Sequence, residues 1–80
     1  MHEIALLKNL FRYLDREENL SSRRIKRIEV SLSELGGINE EHFRDSYKNL
    51  AAGTKWEALQ IQIEKIPYGP ELEITRLDFE

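Results

Sequence analysis

The sequence predicts an α+β fold of order α-β-α-β-β, with a small three-stranded mixed sheet and two helices packed on one of its faces. Two observations predict it. The spacing of apolar residues switches from a helical period to a period of two near Arg24, returns to the helical period after Asn39, and switches again at Leu59. The breaks between these segments fall on Ser, Gly, Asn and Pro, the residues that cap helices and make turns. The chain has 80 residues, of which 40% are hydrophobic, and that size suits one domain over residues 1–80.

Ile4, Leu7, Leu10, Phe11 and Leu14 form a stripe at i, i+3, i+4 and i+7 spacing, while Lys8, Arg12, Asp15 and Arg16 lie on other faces. A helix is therefore expected from about Glu3 to Glu17, with Asn19 and Ser21-Ser22 ending it. Glu3 falls in its first turn, where a carboxylate complements the helix dipole. From Arg24 onward, Ile28, Val30 and Leu32 alternate with Glu29, Ser31 and Ser33, the pattern of a half-buried strand. Leu35-Gly36-Gly37-Ile38 predicts a turn with a positive φ. Asn39 is a good N-cap for a second helix whose first turn holds Glu40 and Glu41. Phe43, Tyr47, Leu50 and Ala51 form its apolar stripe, and Gly53 closes it. Leu59, Ile61 and Ile63 alternate with polar residues in a second strand. Pro67-Tyr68-Gly69-Pro70 reads as a tight turn, so the second and third strands are expected to form an antiparallel hairpin. The helix between the first two strands suits a parallel crossover. In the third strand the inward face passes from Leu72 and Ile74 to Leu77 and Phe79, which predicts a β-bulge near Thr75-Arg76. Phe11, Leu14, Ile28, Val30, Phe43, Tyr47, Ile61 and Ile74 are the expected core. Trp56 and Tyr68 are expected to cap it, either also being suited to anchor an interface.

Composition narrows the function. The absence of cysteine excludes disulfides and every thiolate zinc site, so no structural zinc is expected. The start Met1-His2-Glu3-Ile4 lacks a basic segment leading into an apolar core, and no apolar run approaches the ~20 residues that span a bilayer. These features predict a cytoplasmic protein with no membrane partner. The net charge of −3 argues against nucleic acid as a partner. The basic run Arg23, Arg24, Lys26 and Arg27 is expected to be a solvated strand entrance rather than a phosphate-binding patch. No nucleophile–base pair, glycine-rich phosphate loop or acid–base dyad is present, so no enzyme activity is expected.

Several segments agree, in order, with one family. The chain opens Met1-His2-Glu3 and runs straight into an apolar helix. The segment from Ile28 to Ile38 holds Ser33-Glu34-Leu35-Gly36-Gly37 after a strand. Gly53-Thr54, Glu57-Ala58-Leu59 and Ile63-Glu64-Lys65-Ile66-Pro67 follow, then Leu72-Glu73-Ile74-Thr75-Arg76-Leu77-Asp78. Together these resemble the HypA family, nickel chaperones of nickel–iron hydrogenase maturation. The resemblance implies a metallochaperone that binds Ni(II) transiently through Met1, His2 and Glu3 and hands it to a GTPase or an apo-enzyme. In some members a carboxylate near the start of the second helix adds a ligand, and the nearest positions here are Asn39 and Glu40. Members also carry a zinc-binding insertion with two Cys-x-x-Cys pairs between the last two strands. Here Pro67-Tyr68-Gly69-Pro70 stands in its place.

The chemistry of the first three residues suits that role. A free α-amine has a pKa of about 8 and is a nitrogen donor near neutral pH. The His2 imidazole is a second donor. The His2 amide, deprotonated by a polarising cation, is a third, and the Glu3 amide or carboxylate completes four. Fused chelate rings of this kind lie in one plane, an arrangement that suits Ni(II) or Cu(II) above Zn(II). Initiator methionine is normally removed only before small residues, and His2 is large. His42, by contrast, reads as a polar residue of the second helix's first turn, so His42→Ala is expected to be nearly silent toward nickel. The alternative reading is a metal-independent interaction module on a HypA-like scaffold, able to form homo-oligomers through exposed sheet edges.

Overall fold

The computed structural model describes residues 2–80, with side chains from Glu3 onward. The elements are α1 (His2–Ser21), β1 (Ile25–Ser33), a single 3₁₀ turn (Glu34–Gly36), α2 (Glu40–Ala51), β2 (Gln60–Ile66) and β3 (Leu72–Phe79). Their order is the predicted α-β-α-β-β, and the sheet is mixed and three-stranded.

Helix α1 runs four residues beyond the expected end. Asn19 does not break it, because a single polar residue on a solvated face costs a helix little. The stop comes at Ser22, whose φ of 57° is left-handed and whose amide closes on the Glu18 carbonyl at 2.8 Å. Glu18 also holds the next element. Its carboxylate accepts from the Ile25 amide at 2.8 Å and from Lys55 at 3.0 Å. Burial pushes that carboxyl's pKa up, but these two bonds outweigh it and hold the pKa below its ordinary value.

The local signals at α2 behave as predicted. The Asn39 side chain accepts from the Glu41 and His42 amides, satisfying two donors that a helix start leaves without partners. Gly37 (φ 79°) and Gly53 (φ 77°) supply the left-handed turns on either side of this helix.

Sheet order corrects one expectation. β2 and β3 do not form a hairpin; both pair with β1, giving the order β2-β1-β3. β1 pairs in parallel with β2 and antiparallel with β3. Residues 67–71 therefore carry the chain over the end of β1, from one edge to the other. Two strand spacings are only about 10 Å, well within reach of five residues, and Pro67 and Pro70 have no amide hydrogen to contribute to a ladder. The passage is close. The Ser33 amide donates to the Glu71 carbonyl, and a Cβ built on Gly36 would lie 3.0 Å from the Glu71 Cα. β1 takes the centre because it is buried almost throughout; even Ser31 and Ser33, off the apolar face, are covered. The predicted bulge is present. Glu29 pairs with Arg76 and Val30 with Ile74, so Thr75 is the additional residue, and its hydroxyl donates to the Glu29 carbonyl at 3.2 Å.

The core joins Leu7, Leu10 and Leu14 of α1 to Ile28, Val30 and Leu32 of β1 and to Phe43, Tyr47 and Ala51 of α2, with Ile38 and Trp56 closing its ends. Phe11, Ile61 and Ile74 pack against this cluster but are only partly buried, the last two because they lie on edge strands. Trp56 caps the core as expected, its ring stacked on Phe11. Tyr68 does not: it is 77% exposed in the crossing loop.

The buried Tyr47 hydroxyl donates to the Trp56 carbonyl. Tyr47→Phe should therefore destabilise the fold by about 0.5–1.5 kcal/mol, because it removes one buried hydrogen bond and leaves the carbonyl only its 3.3 Å bond from the Leu59 amide. Burial also raises the Tyr47 pKa above its ordinary value. A group held neutral in this way contributes stability that is complete below the unfolded value of about 10 and is lost as pH rises beyond it. Urea unfolding at pH 8 and above pH 10 checks both points: the gap between wild type and Tyr47→Phe should narrow at the higher pH.

Candidate metal-binding end of the domain

The topology brings the starts of both helices to one end of the sheet. α2 connects two parallel strands, so it runs antiparallel to β1. α1 enters β1 through residues 22–24 and packs on the same apolar face, so it too runs antiparallel to β1. The helices are consequently parallel to each other, and their positive dipole ends share the end of the sheet where β1 gives way to the 3₁₀ turn.

That end is acidic. Glu3 lies in the first turn of α1, Glu40 and Glu41 lie in the first turn of α2, Glu34 opens the 3₁₀ turn and Glu71 passes beside Gly36. Carboxylates here complement the helix dipoles and draw cations toward this end.

The contact that registers the two helices is between Glu3 and Ser46. The Ser46 hydroxyl faces the Glu3 carboxylate across a long 3.5 Å contact. Farther along, Phe11 meets Tyr47 edge-on with ring centroids 5.6 Å apart, and Lys55 reaches Asp15 at 2.6 Å. Contacts therefore progress in the same direction along both chains, as parallel helices require.

Of the predicted metal ligands, Met1 and the His2 imidazole lie outside the described residues. The His2 backbone opens α1, and Glu3 is half-buried at the junction with α2. Asn39 and Glu40 are both otherwise engaged. The Asn39 oxygen accepts from two amides as the N-cap, and Glu40 pairs with Arg44 one turn below it at 3.2 Å. Arg44 also donates to the Ile61 carbonyl of β2, so this pair lies on the β2 side of α2, the opposite side from Ser46 and α1. A cavity on that same side, lined by Phe43, Arg44, Tyr47, Lys48 and Ile61, is thereby separated from Glu3 by the body of the helix. His42 stands one turn above Ser46, exposed. Among the described residues, no group of three His, Asp or Glu side chains is placed to hold a metal ion.

Two residues of the basic run, Arg23 and Arg27, are committed within the molecule. Arg27 on the sheet's open face pairs with Asp78 at 2.8 Å and Glu29 at 3.2 Å and donates to Gln62. Arg23 donates to the Glu80 carbonyl and lies over the Phe79 ring. Arg76 completes the open-face network by pairing with Asp78, whose carboxyl is held below its usual range by Arg76 and Arg27. Among the described residues, no helix is long and apolar enough to cross a membrane.

No curated protein matches the chain. A family model described as hydrogenase/urease nickel incorporation metallochaperone, HypA, matches residues 1–73. That span runs from the first residue through all of α1, β1, α2 and β2 and into β3. With the match covering nearly the whole length, the chain belongs to the HypA family.

Proposed function

We propose that residues 1–80 are a single nickel-acceptor domain that holds Ni(II) transiently through Met1, His2 and Glu3. It delivers the ion to a GTPase partner or apo-enzyme during maturation of a nickel enzyme such as nickel–iron hydrogenase. The observation that carries this reading is the family match, which begins at Met1.

The local structure is compatible with the chemistry in one specific way. Peptide-nitrogen coordination needs amides that can lose their protons, and an amide already bonded inside a helix resists this. The first four amides of a helix have no intrahelical acceptor. His2 is the first residue of α1, so the His2 and Glu3 amides are available to a metal without breaking the helix. Nickel is the cargo, and this chain's part is to bind, hold and release it.

The test is isothermal titration of Ni(II) into protein whose chain starts at Met1 with a free amine. We expect about one ion per chain, with proton release, and an affinity that rises with pH because the amine, imidazole and amide all shed protons to coordinate. Absence of saturable binding between pH 7 and 8.5 would remove the reading. A metal-independent interaction module on the same scaffold would then be the better account, and the lack of a preformed three-ligand group among the described residues is the observation that favours it.

A further inference from the structure

We propose that the groove between α1 and the outer edge of β3 binds an extended, acidic segment of a partner polypeptide as a fourth strand. The site uses none of the residues assigned to nickel, so it stands or falls separately from that reading.

The argument starts from the sheet. β3 pairs with β1 on one side only. Its outer row of amides and carbonyls is a template for a further strand. The opposite edge is obstructed, because Arg44 of α2 donates to the Ile61 carbonyl of β2 at 3.4 Å. Among the described residues no side chain plugs the β3 edge in this way.

α1 supplies a wall beside that edge. Leu6, Leu10 and Tyr13 fall at i, i+4 and i+7 and share one side of the helix. With Leu72 and Ile74 of β3 they line a depression of about 400 Å³. Leu6, Leu72 and Ile74 are half-buried and Tyr13 is 36% exposed, so apolar surface remains to be covered. Alternate side chains of a strand point to one face. An added strand would therefore lay every second residue against α1 while its backbone paired with β3.

The charge of the groove selects the ligand. It leads into an adjoining depression of about 270 Å³, lined by Asn9, Arg12, Tyr13 and Arg16. Arg12 donates to Asn9 at 3.1 Å, and the Arg16 guanidinium lies 6.0 Å from the centre of the Tyr13 ring. Neither has a carboxylate partner among the described residues, on a chain whose net charge is −3. Two guanidiniums one turn apart favour a carboxylate ligand. From Leu6 to Arg16, α1 rises about 15 Å, the length of about five extended residues, so one short segment reaches both depressions. The Thr75 bulge interrupts the edge and keeps the backbone pairing short. Specificity therefore falls to the side chains that meet α1. A second copy of this chain fits less well. The residues that its β3 would turn toward the helix layer are Leu72, Ile74, Leu77 and Phe79, none of them acidic, which leaves both arginines unanswered.

The experiment selects binders to the full chain from a displayed library of random peptides of roughly eight residues, within the usual length of a strand. The enriched peptide is then titrated into nitrogen-15-labelled protein. We expect enrichment of alternating apolar residues accompanied by an acid, with amide shifts concentrated in Leu72–Phe79 and in residues 6–16 of α1. Arg12→Glu combined with Arg16→Glu should weaken that peptide at least about fivefold and favour a version with lysine at the acidic positions. Both arginines are exposed, and circular dichroism checks that the variant keeps its fold. Methylating the backbone nitrogens of one alternate set of peptide residues should abolish binding, and methylating the other set should not, because only one set faces β3. No enrichment, enrichment without acids, equal binding by the charge-reversed protein, or tolerance of both methylation patterns would overturn the proposal. Self-association of the chain that shifts the same β3 amides would also overturn it and give the edge to a second copy.

Discussion

One added residue before Met1 is expected to cost this protein its nickel. An extension converts the α-amine into a peptide nitrogen, which removes a donor that releases its proton near pH 8 and substitutes one that holds it far more tightly. His2→Ala removes a second donor while leaving the amine in place. Each change should lower nickel affinity by more than about a hundredfold, equivalent to about 2.8 kcal/mol, because the fused chelate rings depend on both ends being present. Neither change should disturb the fold, since the core begins at Leu7. The informative comparison is one protein before and after proteolytic release of an amino-terminal tag that leaves Met1 first. Equal affinity for the tagged and released forms would show that the amine is not a ligand and would remove the chemical basis of the assignment.

What the sequence made legible, and what it did not, follows the range of the forces involved. The Asn39 cap, the left-handed glycines at 37 and 53 and the Thr75 bulge were all predictable, because each is decided by residues a few positions apart. The strand order was not. Pro67-Tyr68-Gly69-Pro70 has the composition of a hairpin turn, yet the chain uses it to step over β1, and a turn's composition does not say which strand waits beyond it. One signal was available: β1 is the strand with the densest run of small and apolar residues from Ile28 to Ser33, as a central strand requires. Tyr68 was misplaced for a related reason, since a turn aromatic has no alternation to show whether it points inward.

The candidate site divides along the same line. Met1, His2 and Glu3 can be proposed as ligands from the sequence because their donors are contiguous in the chain. Which residue of α2 faces Glu3 is not legible in the same way, because that depends on how two helices settle against each other. Asn39 and Glu40 were the natural choices by chain position. The Glu3–Ser46 contact, a relation between residues 43 positions apart, turns Ser46 toward α1 and leaves Glu40, paired with Arg44, on the β2 side. No periodicity within either segment encodes that rotation.

Phe43→Ala is expected to be the most damaging single substitution in the core. Phe43 is 1% exposed and is the largest side chain that is almost fully enclosed, where α2 presses on β1. Truncating a buried Phe costs about 3–5 kcal/mol, part of it lost transfer energy and part the cavity left behind. The total stability of a domain of 80 residues is on the order of 4–12 kcal/mol, at roughly 0.05–0.15 kcal/mol per residue. A domain this small buries a limited share of its surface and belongs toward the lower part of that range, so the loss removes much of what holds the fold. The neighbours cannot close the gap cheaply. Tyr47 is held by its bond to the Trp56 carbonyl and by its edge contact with Phe11, and Val30 and Leu32 are fixed in the central strand. Urea unfolding monitored at Trp56 should show either a transition shifted by that amount or no folded baseline at all. Leu20→Ala, at a position of α1 that is 75% exposed, serves as the control and should change stability by less than about 0.5 kcal/mol. If Phe43→Ala proved as mild as Leu20→Ala, the packing of α2 onto β1 would be wrong.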